Sequence, residues 1–228
     1  MNTSTFVAAA AHDMKNSVSV IAAYLEDALQ QLAKAEGSQP SPAAVATGQA
    51  LYETQRVNGN LVQLMAIFKL EEGMYPFDPA EVMLDEFAEE MLARVRPLVR
   101  LKGMELRSTL DAGVDAWIFD HDLIGSVVVQ ALFSAVRYAR HTVQLSMQVR
   151  DGFLEIEIAD DGDGFPEFML DQGFPSRQGI DLRTGSTGLG LFFSRQAAGL
   201  HRRGELSGST RLANGGELGG SRFVVALP

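Results

Sequence analysis

The sequence predicts an α+β fold: an antiparallel helical hairpin followed by a two-layer α/β sandwich. Three observations carry that expectation. Residues 4–36 contain neither glycine nor proline, and their apolar positions recur in steps of four and three. Residues 143–149 and 153–159 alternate apolar and polar on either side of an Asp151-Gly152 turn, the pattern of a β-hairpin. A strongly apolar stretch at 122–140 precedes that hairpin, and glycine-rich loops follow it. Helices mixed with largely antiparallel strands imply two packed layers.

The first helix is expected over 4–36. Its seam runs Val7, Ala11, Met14, Val18, Ile21, Leu25, Ala28, Leu32, more than three heptads of a packed hairpin or coiled coil. The run GSQPSP at 37–42 breaks it. A second helix is expected over 43–70, with Leu51, Leu61, Met65 and Phe68 in its buried stripe and Thr54 and Asn58 interrupting it. Two helices alone bury little apolar surface, so a dimeric four-helix bundle is the natural completion. A punctuated linker, GMYPFDP at 73–79, then separates an expected hairpin domain, 1–72, from an expected α/β domain, 73–228. In the second domain the pattern predicts helix over 80–99, strands at 104–110 and 116–119, helix over 122–140, and the hairpin strands already named. Helix over 191–200 and strands at 205–212 and 222–227 complete it.

The bulk numbers narrow the function. The chain has 228 residues, 46% of them apolar, enough for a core. Its net charge of −10 repels phosphate backbones and argues against nucleic acid as a partner. With no cysteine there are no disulfides and no thiolate metal sites, as in a reducing compartment. Only four histidines occur, scattered along the chain, which argues against zinc. No apolar run of ~18 residues is present, and the first residues lack a basic n-region, so neither a membrane span nor a signal peptide is expected. A cytoplasmic protein is the resulting expectation.

Three constellations carry chemistry. The first is HDMKN, in which Asn16 lies one helical turn from His12. His12 sits beside the seam residue Ala11, so it borders the bundle and is expected to face solvent. Such an imidazole is a nitrogen nucleophile near neutral pH. Asp13 can fix its tautomer and take the proton lost on phosphorylation, and Asn16 can donate to a phosphoryl group. Taken alone, a surface histidine on a helix is the simpler reading.

The second constellation is DDGDG at 160–164. The preceding strand places Leu154, Ile156, Ile158 and Asp160 on one face, so Asp160 is a carboxylate at the edge of a core. Burial is costly without a partner, and a ligand amino group such as adenine N6 would supply one. Gly162 and Gly164 let the loop pass close to a base. An acidic turn is the alternative; a calcium loop lacks the EF-hand spacing and its terminal glutamate.

The third is GSTGLGL, residues 185–191, leading into a helix. Gly185, Gly188 and Gly190 allow backbone N–H groups to face phosphates at a helix N-terminus. No lysine follows, so it is not a P-loop.

In order along the chain, these motifs resemble the sensor histidine kinase core, and the resemblance covers nearly the whole sequence. HDMKN resembles the phosphoacceptor box, which implies His12 as the phosphorylated residue. ADDGDGF resembles the first glycine box, with Asp160 as the adenine-binding carboxylate, and GSTGLGL the second, with its glycines near the triphosphate. QALFSAVRYA, residues 130–139, resembles the helix that carries a magnesium-binding asparagine, with Arg137 next to phosphate and Tyr138 next to the base. GGSRFVVALP resembles the domain's last strand. The resemblance implies ATP and Mg²⁺ as cofactors, a homodimer, and a response-regulator receiver domain as partner, with the sensor supplied elsewhere.

The sequence departs from the family at Ser134, where that asparagine is usual. A serine hydroxyl is a shorter and weaker magnesium ligand; Gln130, one turn earlier, reaches further. Ser17 replaces the usual proline after the acceptor box. The segment 165–184 is short, with Phe174, Arg177 and Arg183 as its notable residues. Three readings follow: a histidine kinase passing the ATP γ-phosphoryl group to His12 and on to a regulator aspartate, a histidine phosphotransferase, or a pseudokinase adaptor. His201 begins a basic HRR run, read as a helix C-cap favourable to the dipole.

Overall fold

The computed structural model describes residues 3–35, 41–111, 113–171 and 188–228; within the helices, the side chains of 3–10, 12, 33, 35 and 171 lie outside that description. Two compact units result: Met1–Tyr75 with Arg100–Lys102, and Pro76–Val99 with Gly103–Pro228.

The first unit is a pair of long helices, α1 (Thr3–Ala35) and α2 (Pro42–Glu71). The start of α2 is set by Ser41, whose hydroxyl accepts from Ala44 N–H at 3.2 Å, and by Pro42, whose missing N–H costs nothing at this position. Ala22, Leu29, Ala44 and Leu51 form its core, with Leu25 and Leu32 packed against them. The seam divides on inspection. Ala11 is buried and Val18, Leu25 and Leu32 are half-buried, whereas Met14 and Ile21 are exposed. On α2 the buried stripe is Ala44, Gly48, Leu51, Tyr52, Gln63 and Ala66, so Gln63 and Ala66 replace the expected Leu61, Met65 and Phe68, which are only half-buried.

The second unit opens with a correction. The expected helix over 80–99 begins only at Leu84, because β1 (Ala80–Met83) pairs antiparallel with β3 (Ala116–Phe119). Pro79 and the β-branched Val82 favour the extended start, and Asp85 and Glu86 occupy the first turn of α3 (Leu84–Leu101), where the helix dipole favours them. The main sheet holds β2 (Glu105–Leu110), β4 (Thr142–Arg150), β5 (Phe153–Asp160), β8 (Ser209–Asn214) and β9 (Ser221–Leu227) in the order β2-β4-β5-β9-β8. Only β2 and β4 run parallel. The expected strand at 205–212 is instead a short ribbon, β6 (Arg202–Arg203) with β7 (Leu206–Ser207), followed by β8.

One face of the sheet is apolar. Val143, Leu145 and Met147 of β4, Leu154, Ile156 and Ile158 of β5, and Phe223, Val225 and Leu227 of β9 are buried there. Against it pack α4 (His121–Tyr138) and α6 (Leu189–Leu200); a short helix, α5 (Glu167–Asp171), follows the loop after β5. Val127, Val128, Leu132 and Val136 of α4 and Phe193, Ala197 and Ala198 of α6 are buried. The opposite face carries ion pairs, Glu157 with Arg222 and Glu155 with Arg211 and Arg150. No helix among the described residues is long and apolar enough to cross a membrane.

Candidate functional site

The site is built from the end of β5, the length of α4 and the start of α6. Asp160 ends β5 on the apolar face and is 1% exposed. A buried carboxylate must be hydrogen-bonded, and here the protein itself supplies the donors. Gly162 N–H donates to its Oδ1 at 2.8 Å, Ser221 N–H to the same atom at 3.3 Å, and the Ser221 hydroxyl to Oδ2. Asp160 therefore does not depend on a ligand for a partner, and Ser221, which sequence reasoning passed over, is part of its site. The place of Ser221 at the start of the terminal strand is visible in the sequence, but only the register, which sets Arg222 opposite Ala159, brings Ser221 beside Asp160.

Each further residue of this loop is held. Asp161 accepts backbone N–H groups of Arg140, His141 and Thr142 at 2.8–3.1 Å. Burial raises its carboxyl pKa, but those donors outweigh it and pull the value down to about 2. Asp163 pairs with Arg140. A Cβ at Gly162 would strike the Tyr138 carbonyl oxygen, and one at Gly164, whose φ is +81°, would lie 2.8 Å from Asn214. These glycines serve close packing of the loop on its own protein.

The helix α4 starts from Asp120, whose side chain accepts from Leu123 N–H at 2.9 Å. Its last turn presents Arg137 and Tyr138, both exposed, with the guanidinium 5.3 Å from the ring centroid. Ser134 is exposed; Gln130, one turn earlier, packs under Gly190, whose missing Cβ would run into the carboxamide. The Gln130 Oε1 is buried without a hydrogen-bond partner.

Gly188 takes the left-handed conformation (φ +62°) at the N-cap of α6, and as a glycine it gives that helix start no side-chain cap of its own. Backbone N–H groups at a helix start of this kind suit an anion. Gly185, Phe174, Arg177 and Arg183 lie outside the described residues. In the other unit, His12 lies on α1 with its side chain outside the described residues, and Asp13 and Asn16 are exposed. The expected solvent exposure of His12 therefore stays an expectation.

His201 is the C-cap of α6, yet it is buried, and burial lowers its pKa. His201 is thus a neutral ring, and the cation that the HRR run brings to this helix end is Arg202, whose Nε donates to the Gly199 carbonyl at 3.4 Å.

Residues 119–228 match the family model of histidine kinase-, DNA gyrase B- and HSP90-like ATPases. That span contains every loop of the site just described, and the relatives extend the likeness through the helical hairpin. The ATPase-family match and the histidine kinase relatives together support a histidine kinase core. The chain is 24% identical over 234 residues to the signal transduction histidine-protein kinase AfsQ2 of Streptomyces coelicolor, covering 98% of this chain and 41% of the relative. Among solved structures, full-length ShkA in complex with AMPPNP aligns over 100% of this chain and 46% of its own, with a TM-score of 0.64 and 16% identity. The catalytic domain of the histidine kinase ThkA aligns over 66% of this chain and 95% of its own, with a TM-score of 0.56 and 18% identity. The chain spans about two-fifths of the length of the first curated relatives it matches. The matched model is that of an ATPase domain.

Proposed function

We propose that this chain is the transmitter part of a two-component histidine kinase. Residues 73–228 bind ATP, and residues 1–72 form the hairpin on which His12 receives the γ-phosphoryl group. The observation that carries the reading is the role of α4 as a common floor. Its Tyr138 carbonyl abuts Gly162, and its Gln130 carboxamide abuts Gly190. Eight residues of helix separate these contacts by about 12 Å, a spacing on the scale of the base-to-phosphate length of a nucleotide. The base lies by Asp160, Gly162, Gly164 and Tyr138. The phosphates lie by Gly185, Gly188, Gly190 and Arg137, at the start of α6.

Magnesium would be held by Gln130 and Ser134 together with phosphate oxygens. The unpartnered Gln130 Oε1 supports this donor set, and among the described residues no cluster of His, Cys, Asp or Glu is placed to hold a metal ion. When bound, the ion neutralises phosphate charge.

In the reaction, a His12 ring nitrogen attacks the γ-phosphorus in line. The N–P bond forms, the β–γ bridging P–O bond breaks, ADP leaves, and Asp13 takes the imidazole proton. Asn16, one turn on, steadies the phosphoryl oxygens. A receiver aspartate on the partner regulator then accepts the group. Dimerisation into a four-helix bundle is supported by Met14, Val20, Ile21 and Tyr24 of α1 and Val57 and Leu64 of α2, all apolar and all exposed in the single chain. A cytoplasmic setting fits this chemistry, because ATP and receiver domains are found there.

The test is incubation with γ-labelled ATP and Mg²⁺, reading acid-labile label on the protein. Label that disappears in His12→Gln supports the kinase. ATP binding without label would sink it in favour of an adaptor or phosphotransferase.

A further inference from the structure

The loop at 160–165 is tied to the β8–β9 turn at both ends. At the near end, Gly220 N–H donates to the Asp160 carbonyl at 3.1 Å, and Ser221 holds the Asp160 carboxylate. At the far end the tie is a single side chain. The Asn214 carboxamide pairs in both directions with the backbone of Phe165: Phe165 N–H donates to Oδ1 at 2.7 Å, and Nδ2 donates to the Phe165 carbonyl at 2.8 Å. A carboxamide has one donor side and one acceptor side, so it can imitate one rung of a β-ladder. Here it extends β8 by such a rung onto a segment that is not a strand. Gly164 completes the fit, since a side chain there would occupy the space of Asn214.

The geometry points to Asn214 as a positioning residue for the nucleotide site. It touches neither base nor phosphate. It fixes the Gly162–Gly164 backbone before ligand arrives, so that the ordering of this loop is not charged against binding. Asn214 is exposed, so removing its side chain opens no cavity and strands no buried group. A merely structural residue at an exposed strand end would change stability slightly and affinity not at all. This role rests on the nucleotide-binding reading above.

The experiment uses the full chain as wild type, Asn214→Ala and Asn214→Asp. It measures ADP and AMPPNP affinity by calorimetry, amide exchange at Phe165, and thermal unfolding without ligand. Asn214→Ala is expected to weaken both nucleotides about tenfold, the worth of one to two hydrogen bonds, while the ligand-free midpoint stays within the range of an exposed control, Ser209→Ala. The Phe165 amide should exchange faster. Asn214→Asp keeps the acceptor and loses the donor, so its affinity should fall between the other two. If wild type binds nucleotide and Asn214→Ala binds it equally well, the positioning role is overturned and the nucleotide site stands. A wild-type protein that binds neither nucleotide overturns the site and the positioning role together.

Discussion

The buried imidazole of His201 accepts a hydrogen bond from the backbone N–H of Asp120 at 3.0 Å. Its other nitrogen, Nδ1, therefore carries the proton and donates to the Ala197 carbonyl at 2.9 Å. The ring meets Phe77 edge-on, with centroids 5.0 Å apart. The Asp120 side chain meanwhile caps α4 and accepts Asp78 N–H at 3.1 Å. One neutral histidine thus joins the C-terminal end of α6, the N-terminal end of α4 and the segment before β1, behind the two helices that build the site.

This junction sets a pH dependence. Burial holds the His201 pKa below its ordinary 6.5, and the neighbouring carbonyls and Asp120 only partly offset it. Between the folded and unfolded pKa values the unfolded chain binds the extra proton, so stability rises with pH there. The contribution is complete above 6.5 and is lost as pH falls below that value through the folded pKa. Protonation also places an N–H against the Asp120 N–H. Urea midpoints at about pH 8 and about pH 5 should differ more for wild type than for His201→Phe. That variant should lose about 1–3 kcal/mol at the higher pH, because two buried groups go unpaired.

Asp161 gives an acid signature of the same sign in a lower pH window. Its pKa lies at about 2 against an ordinary 3.8, so its contribution is present above 3.8 and is lost as pH falls towards 2. Asp161→Ala leaves the Arg140, His141 and Thr142 N–H groups to water and should cost about 1–3 kcal/mol near neutral pH. Its acid-unfolding curve should be shallower than that of wild type over the same interval.

The fold class was legible because periodicity is strong where faces are buried. The alternation of Leu154, Ile156, Ile158 and Asp160 predicted both the strand and the inward face that the structure shows. Ala80–Met83 was misread because four residues are too short to show a period, and only pairing with Ala116–Phe119 makes them a strand. The stripe of α2 was misread because it was picked by hydrophobicity, whereas Gln63 and Ala66 are buried by position. At the site, Asp160 and its glycines were legible as a motif. Asn214 and Ser221 were not, since their roles depend on groups 49 and 61 residues away, the Phe165 backbone and the Asp160 carboxylate.

The contact of Gly190 with Gln130 gives a packing prediction. Gly190→Ala must push the Gln130 carboxamide aside within a close-packed layer, at a cost of about 1–3 kcal/mol. Gln130→Ala removes the obstacle. The double variant should therefore be more stable than the sum of the single changes allows, by chemical denaturation without nucleotide. Additive losses would mean that the carboxamide swings away freely and that Gly190 is needed only by the phosphates.

Ser134 gives the last prediction. It is exposed on α4 one turn beyond Gln130, where a longer side chain meets no buried neighbour. Ser134→Asn adds a carbonyl oxygen with greater reach than the hydroxyl, and magnesium favours such hard oxygen donors. ATP affinity should be the same in the two proteins when the metal is chelated. With Mg²⁺ present, the asparagine variant should bind about tenfold more tightly, the worth of one added contact to a charged group. Calorimetry with and without chelator reads this directly. Equal affinity under both conditions would remove position 134 from the metal site and leave Gln130 as its sole side-chain donor, which Gln130→Ala then tests by loss of the remaining Mg²⁺ dependence.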